Sequence, residues 1–167
     1  MIEHRLATMD DLDAIMEVVA DAQHSLGSRG IDQWQNGYPN IPSLQGDIEK
    51  GVGHVLVMDG VVVSYAAIII NGEPSYEHLE GQWLSVQDYV VLHRLCVRVG
   101  YVRQGLALQM MDIAIAIAQS HGVKSFKIDT HTENTYMLSL LQKMGFVYCG
   151  IVYYDHGVRV AYEKLIS

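Results

Sequence analysis

The sequence predicts a single mixed α/β domain covering residues 1–167. Two observations support this fold class. Half of the residues are hydrophobic and 18% are charged, as in ordinary globular proteins of this length. Strand and helix signals follow one another in the order β-α-(α)-β-β-β-α-β-α-β-β, which includes a strand–helix–strand crossover. We therefore expect helices packed on one central sheet.

The helices are predicted from apolar periodicity and from residues typical of helix ends. Thr8 and Asp11 form a start similar to a capping box. Pro42 can open a second, short helix after the irregular stretch 31–42. The predicted helices cover residues 12–26, 42–51, 105–120 and 134–144. Glycines mark their ends, and we expect Gly27, Gly30, Gly51, Gly122 and Gly145 to terminate them.

The strands are predicted from short apolar or alternating runs between turn residues. They cover residues 2–7, 54–58, 61–70, 89–97, 124–130, 146–154 and 158–165. Asp59-Gly60 is a typical hairpin turn. Residues 61–70 are apolar almost throughout, which indicates a strand buried on both faces. Residues 71–87 are predicted to form a long polar loop.

Charge and composition narrow the possible partners. The net charge of −8 argues against binding of nucleic acid, because a protein that binds it needs clustered Lys and Arg. It is compatible with a cationic amine substrate, although solubility alone also explains it. No apolar run suits a membrane span, and residues 1–5 do not resemble a signal peptide, so we expect a cytoplasmic protein without membrane partners.

Cysteine and histidine usage indicates neither a disulfide nor a metal. Cys96 and Cys149 lie in apolar surroundings without a CxxC pair, which is typical of buried, reduced thiols. The eight histidines form no HxH, HExxH or Cys/His cluster. We therefore predict no functional metal.

A turn between a strand and a helix is the strongest functional signal. It consists of Val102, Arg103, Gln104, Gly105, Leu106 and Ala107. Gly105 permits close approach of the backbone to a ligand, and the first amides of the following helix lack partners within the helix. Such a helix start binds anions such as a pyrophosphate, and Arg103 could add a charge-assisted contact. On its own, the same string is also compatible with an ordinary helix-starting glycine.

With its neighbours, this turn resembles the cofactor turn of the GNAT superfamily of N-acetyltransferases, Gln/Arg-x-x-Gly-x-Gly/Ala. Val102 departs from the usual Gln or Arg, which leaves the grip to backbone amides. Asn134 at the start of the next helix and Gly145-Phe146 at its end match the family as well. The resemblance covers residues 90–150 closely and the N-terminal half by element order.

The resemblance implies a fold and a cofactor site. It implies a mixed, mostly antiparallel sheet of six or seven strands with a splayed central pair and about four helices. Acetyl-CoA would lie between the strands carrying residues 95–97 and 127–130. Main-chain groups of Leu95 and Val97 would pair with the pantetheine arm, the thioester would lie near Leu95 and Cys96, and Asn134 would reach the cofactor.

Two kinds of residue are candidates for proton transfer, an acid for the leaving thiolate and a base for the attacking amine. The tyrosine that many GNAT enzymes use as an acid is Leu141 here, so Tyr136 is the substitute candidate, with ordinary packing as the alternative. His93 is the favoured base because imidazole titrates near neutral pH. Strand alternation groups His93 with Leu95 and Val97. His131, with Asp129 beside it, and a water-mediated base remain alternatives.

The acceptor site is predicted from residues rich in aromatic and amide groups. Gln33, Trp34 and Tyr38 lie in the loop 31–42, and Tyr154 lies in the final hairpin. A loop anchored in the core by Trp34 is the alternative. We expect an acetyl-CoA-dependent N-acetyltransferase that acts by direct attack of a primary amine of a small molecule or peptide.

Two other functions and the assembly state stay open. A non-catalytic acyl-CoA-binding or sensing module is the main alternative, because the usual tyrosine is absent at Leu141. A tRNA-acetylating toxin is disfavoured by the charge of −8. The apolar final strands leave a homodimer open.

Overall fold

A computed structural model describes all residues, 1–167. It contains one eight-stranded sheet and four α-helices. The strands are Ile2–Leu6 (β1), Gly53–Met58 (β2), Val61–Ile70 (β3), Glu80–Gly81 (β4), Val90–Val97 (β5), Ser125–Thr130 (β6), Val147–Tyr154 (β7) and Gly157–Leu165 (β8). The helices are Leu12–Ser28 (α1), Ile41–Glu49 (α2), Leu106–Ser120 (α3) and Thr135–Lys143 (α4).

The strand order in the sheet is β1-β2-β3-β5-β6-β8-β7-β4. β5 and β6 are parallel, while β1/β2, β2/β3, β4/β7, β6/β8 and β7/β8 are antiparallel. The mixed, mostly antiparallel α/β class with four helices is therefore confirmed. The strand count is higher than the predicted six or seven because β4 lies within the supposed loop 71–87, which also contains a short 3-10 helix at Pro74–His78.

The chain divides into two compact units that are interleaved in sequence. Unit 1 comprises residues 1–68 and 93–111, and unit 2 comprises residues 69–92 and 112–167. The expected single domain stays a prediction. No helix combines the length and the apolar character needed to cross a membrane.

Unit 1 is built around an apolar cluster contributed by β2, β3, β5, α1 and α2. Ile15 and Val18 of α1, Leu44 of α2 and Tyr65 of β3 are completely buried there. The predicted start of α1 is confirmed in outline, since the Asp11 carboxylate accepts the Thr8 N–H at 2.7 Å. A 3-10 turn, Met9–Asp11, precedes the helix proper.

The end of α1 differs from the prediction. Gly27 lies inside the last turn, and the helix continues to Ser28 before Gly30 adopts a φ of +73°. A side chain at Gly27 would meet the Gln35 amide, with Cβ only 2.4 Å from its oxygen. Gly27 therefore lies where the flexible end of the Gln35 side chain packs, and Gly30 alone provides the left-handed residue after the helix.

Unit 2 holds a buried acid in its sheet. Glu163 of β8 has no exposed surface and accepts hydrogen bonds from the Leu84 N–H at 2.8 Å, the Ser85 hydroxyl at 2.5 Å and the Ser125 hydroxyl at 2.7 Å. Lys127, opposite Glu163 in the register, has its ammonium 4.5 Å from the centre of the Trp83 ring. These bonds attach the segment after β4 to the sheet and satisfy the buried charge.

The short strand β4 pairs with β7 at a point of very close backbone approach. Gly81 faces Gly150, and both have φ of +145°. A Cβ at Gly150 would lie 2.2 Å from the Glu80 carbonyl oxygen, and one at Gly81 would lie 2.1 Å from the Cys149 carbonyl oxygen. Only glycine fits this crossing, because any side chain would overlap the neighbouring main chain.

Candidate functional site

The turn that follows β5 in unit 1 is anchored to β3 and α1. The Arg98 guanidinium donates to the carbonyl oxygens of Val62 at 2.7 Å and Ala14 at 3.3 Å. The next residue, Val99, donates its N–H to the Asp21 carboxylate at 3.0 Å. Sequence reasoning missed these anchors because Asp21 and Ala14 lie far from the turn along the chain. The turn is thus held in a defined position before the helix begins.

The start of α3 has the features of an anion cradle. Gly105 has a φ of +77°, and a Cβ built there meets no atom within 4 Å. The Gln109 N–H donates to the Gly105 carbonyl at 3.0 Å, so the amides of Leu106, Ala107 and Leu108 precede the first helical hydrogen bond. The first turn contains no acidic residue. Open space and outward amides coincide here, as an anionic ligand requires.

The predicted cofactor residues of this turn differ in how far their side chains are exposed. Val102, Arg103 and Gln104 are exposed, whereas Leu106 and Ala107 are only 1% and 2% exposed. The Leu106 and Ala107 side chains therefore pack into the core, which leaves their main-chain amides as the groups available to a ligand. The predicted reliance on backbone amides fits this arrangement.

The predicted alternation of β5 is interrupted at Arg94. This residue has a φ of +59°, in the left-handed region that side chains disfavour. Its guanidinium binds the Asp47 carboxylate through two hydrogen bonds, from Nε at 2.8 Å and from Nη2 at 2.5 Å, and donates to the Tyr38 hydroxyl at 2.7 Å. The Tyr65 hydroxyl donates to the same carboxylate at 2.5 Å. The sequence offered no local signal for this network.

The strand segment predicted to meet the cofactor lies just after Arg94. Leu95 and Val97 are half-buried, as is His93 before them, and Cys96 is buried. The Cys96 carbonyl accepts the Ser64 hydroxyl at 2.8 Å. Burial raises the pKa of the Cys96 thiol to about 12, so the thiol stays protonated and is a poor nucleophile. Both cysteines are free and buried, as predicted.

The predicted acceptor loop is fixed to unit 1 at several points. Trp34 packs against the apolar cluster, in line with the core-anchoring alternative. The Gln23 amide donates to the Tyr38 carbonyl at 3.1 Å, and the Gln35 amide donates to the Gln23 carbonyl at 2.9 Å and to the Gln33 carbonyl at 3.1 Å. Tyr38 itself is 37% exposed, with its hydroxyl on Arg94. The loop thus presents a defined surface.

In unit 2, Asn134 is the N-cap of α4. Its side-chain oxygen accepts the Met137 N–H at 3.3 Å. Tyr136, the substitute acid, is 48% exposed in the first turn of the helix, and Leu141 is completely buried. His131 lies before the helix and accepts the Glu133 N–H on Nδ1 at 3.0 Å. An accepting Nδ1 leaves the proton of the neutral ring on Nε2, so this geometry makes the outer nitrogen a donor.

Asp129 and Tyr154 also lie together in unit 2. The Asp129 carboxylate accepts the hydroxyls of Tyr76 and Tyr154, both at 2.7 Å. Burial, together with the charge of Asp129, raises the pKa of both tyrosines, so both hydroxyls remain protonated donors. The Tyr154 ring stacks on His156 at 5.1 Å between ring centres. The proposed pairing of Asp129 with His131 stays a prediction.

Comparison with known proteins identifies the family. The sequence profile of the Acetyltransferase (GNAT) family matches residues 19–146, a range that includes both Gly105 and Asn134. A GNAT-family acetyltransferase structure from Streptococcus agalactiae is 35% identical, with a TM-score of 0.89 and coverage of 99% of this chain and 96% of that one. The chain belongs to the GNAT acetyltransferase family. As a GNAT protein it is an acyltransferase.

More distant N-acetyltransferase structures share the fold. The ribosomal-protein-S18-alanine N-acetyltransferase from Escherichia coli is 17% identical, with a TM-score of 0.70 and coverage of 100% and 95% of the two chains. The paia N-acetyltransferase from Thermoplasma acidophilum, solved with coenzyme A, is 16% identical, with a TM-score of 0.72 and coverage of 99% of each chain. A search of curated protein sequences gave no significant match. No group of three or more His, Cys, Asp or Glu side chains is arranged to hold a metal ion.

Proposed function

We propose that this GNAT protein is an acetyl-CoA-dependent N-acetyltransferase that acts on a primary amine. The observation that carries the proposal is the start of α3, where Gly105 leaves open space beside amides without helical partners. The coenzyme A bound to the Thermoplasma acidophilum protein of the same fold supports an acyl-CoA ligand. The turn from Val102 to Ala107 would hold the pyrophosphate through its main chain, with Arg103 as an auxiliary charge.

Further cofactor contacts are proposed on each unit separately. In unit 1, the main-chain groups of Leu95, Cys96 and Val97 would hold the pantetheine arm. In unit 2, Asn134 would contribute from the start of α4. Acetyl-CoA would supply the acetyl group as a thioester, and the protein would orient it and manage the protons.

The amine must lose a proton before attack, and His93 is the proposed base, with His131 as the alternative. His131 uses Nδ1 to accept the Glu133 N–H, so it would have to give up that bond to take a proton. His93 is half-buried on β5, two residues before Leu95. Tyr136 is exposed enough to exchange protons and remains the candidate acid for the leaving thiolate.

The acceptor is proposed to be a primary amine of a small molecule or a peptide. Peptide acceptors have precedent in the fold. The structural neighbours include the ribosomal-protein-S18-alanine N-acetyltransferase and a NatC complex bound to a Gag peptide. The net charge of −8 would favour a cationic acceptor. Gln33, Trp34 and Tyr38 in unit 1 and Tyr154 in unit 2 are the proposed acceptor contacts. A cytoplasmic location and the absence of nucleic-acid partners stay predictions.

Calorimetric titration with acetyl-CoA tests the cradle. Gly105→Ala and Gly105→Glu carry the same left-handed backbone penalty of ~1–2 kcal/mol, so their difference isolates the added bulk and charge. We expect Gly105→Ala to bind and Gly105→Glu to lose binding, with both folded by circular dichroism. Equal affinity in the two variants would show that the cradle is misplaced.

Activity distinguishes an enzyme from an acyl-CoA sensor. A panel of primary amines and peptides should reveal acetyl transfer, with thiol release followed by a chromogenic disulfide. His93→Ala should remove the acidic limb of the pH–rate profile, and an unaltered profile would rule His93 out as the base. Tight acetyl-CoA binding without transfer to any amine of the panel would favour the sensor.

A further inference from the structure

Arg94 is a non-glycine residue held in a glycine-like conformation inside a strand. Its φ of +59° lies in the left-handed region, where the Cβ of any L-residue is crowded by the backbone. A left-handed residue within a strand changes the local direction of the chain beyond it. β5 nevertheless places an arginine at this point, so something outside the backbone must hold it there.

Contacts of the Arg94 side chain, all within unit 1, stabilise this backbone conformation. Its two hydrogen bonds to Asp47 form a fork-to-fork ion pair in which the arginine side chain is 14% exposed and the aspartate 7%. Tyr65, completely buried, donates a further bond to the same carboxylate. The planar guanidinium pairs with the two carboxylate oxygens side-on, through Nε and Nη2, and this two-point contact fixes both the position and the rotation of the side chain.

The segment after Arg94 is arranged accordingly. The Cys96 carbonyl accepts a side-chain hydroxyl, that of Ser64, and the Arg98 N–H donates to the Val63 carbonyl at 2.8 Å. These bonds hold the strand to β3 at residue 96 and again at residue 98. Arg94 directly precedes this segment, so its backbone conformation sets the direction in which the chain enters residues 95–97.

We propose that Asp47 and Arg94 are positioning residues for acetyl transfer: their buried ion pair holds Arg94 in the left-handed conformation that aims the main chain of residues 95–97 at the thioester. The inference rests on the proposed function of that strand. Both side chains would act through the main chain of the strand and not on the reacting atoms. Because Arg94 also donates to Tyr38, the same guanidinium ties the proposed acceptor loop to the strand.

A pair of double variants separates the backbone effect from the charges. Asp47→Asn/Arg94→Gly and Asp47→Asn/Arg94→Ala both lack the ion pair, and they differ only in whether residue 94 adopts the left-handed conformation freely. We expect kcat of the glycine variant to exceed that of the alanine variant by about tenfold or more, the rate equivalent of one left-handed residue. Thermal unfolding would verify that both are folded at the assay temperature.

A single variant keeps the test decisive if the double variants unfold. Arg94→Lys retains the charge but loses the two-point geometry, so kcat should fall about tenfold while the Kd for acetyl-CoA changes less. Arg5→Lys is the matched control: Arg5 also makes a two-point pair, with Asp11 at 2.7 and 2.9 Å, but it lies on β1 with an ordinary φ. Its kcat should equal that of the wild type.

The outcomes separate a failure of the proposed function from a failure of the positioning role of Asp47 and Arg94. If the wild type neither binds acetyl-CoA nor transfers an acetyl group, the proposed function fails, and the inference fails with it. If the wild type is active but the glycine and alanine variants have equal kcat, or Arg94→Lys behaves as the wild type does, the positioning role alone is overturned.

Discussion

The stability of the protein is expected to fall steeply between pH 6.5 and pH 4 because of one buried histidine. His54 of β2 is 7% exposed, and its Nδ1 lies 2.9 Å from Nε2 of His4 on β1. The two rings stack with centres 5.1 Å apart. Burial, and secondarily the neighbouring His4, lower the pKa of His54 from 6.5 to about 4. Burial also lowers the pKa of His4.

The direction of this pH dependence follows from proton binding in the folded and unfolded states. Between pH 6.5 and 4 the unfolded chain binds a proton at residue 54 that the folded protein excludes, so acidification favours unfolding. A pKa lowered from 6.5 to about 4 corresponds to about 3 kcal/mol of unfolding free energy, lost progressively as the pH falls through that window. This is a large fraction of the stability of an ordinary domain.

Urea denaturation followed by tryptophan fluorescence at a series of pH values from 7.5 to about 4 measures the effect. His54→Gln retains a neutral hydrogen-bonding side chain that does not titrate, so its free energy of unfolding should vary much less across this window. The hydrogen bond with Arg5 lowers the pKa of Asp11 to about 2, so Asp11 loses most of its contribution to stability below pH 4, outside the window. The reasoning would be refuted if His54→Gln lost as much stability as the wild type.

Two further predictions concern packing in the sheet and helices. Gly150→Ala would place Cβ 2.2 Å from the Glu80 carbonyl oxygen and should destabilise the protein by ~2 kcal/mol or more, measured by thermal unfolding. Gly46→Ala lies in α2 with no atom within 4 Å of the new Cβ and should instead stabilise by ~0.5–1 kcal/mol; a loss there would show that the crowding argument is wrong. Glu163→Gln should cost ~1–3 kcal/mol in urea denaturation, because the amide nitrogen cannot accept the bonds that the carboxylate accepts, and an unchanged midpoint would contradict this.

Local sequence patterns were sufficient for most of the fold. β3 was predicted with its observed bounds, because a long apolar run bounded by Asp59-Gly60 and Asn71-Gly72 leaves little choice. Asn134 was also placed correctly at the start of α4, where asparagine is a favoured N-cap residue. β4 could not be found in this way. It has two residues, and its pairing depends on the close approach of Gly150, which lies in a distant part of the chain.

In the candidate functional site, too, features set by local sequence could be predicted, and features set by distant residues could not. The turn at Gly105 was recognisable because a strand, a glycine and a helix follow one another along the chain. The conformation of Arg94 was not, since it depends on Asp47, 47 residues earlier. Nor could sequence reveal that Ala107 points into the core, as this depends on the rotation of α3. Long-range charge pairing and helix rotation thus mark the limit of prediction from this sequence.

The interleaving of the two units limits how the protein can be made or divided. Unit 1 needs residues 93–111 as well as 1–68, so an emerging chain cannot complete it until well over half of the protein has left the ribosome. No single cut separates the two units, because any fragment that holds one unit whole also carries a segment of the other. A cut in the segment between β3 and β5 would leave two fragments, each holding part of both units, and activity would return only when the fragments were refolded together.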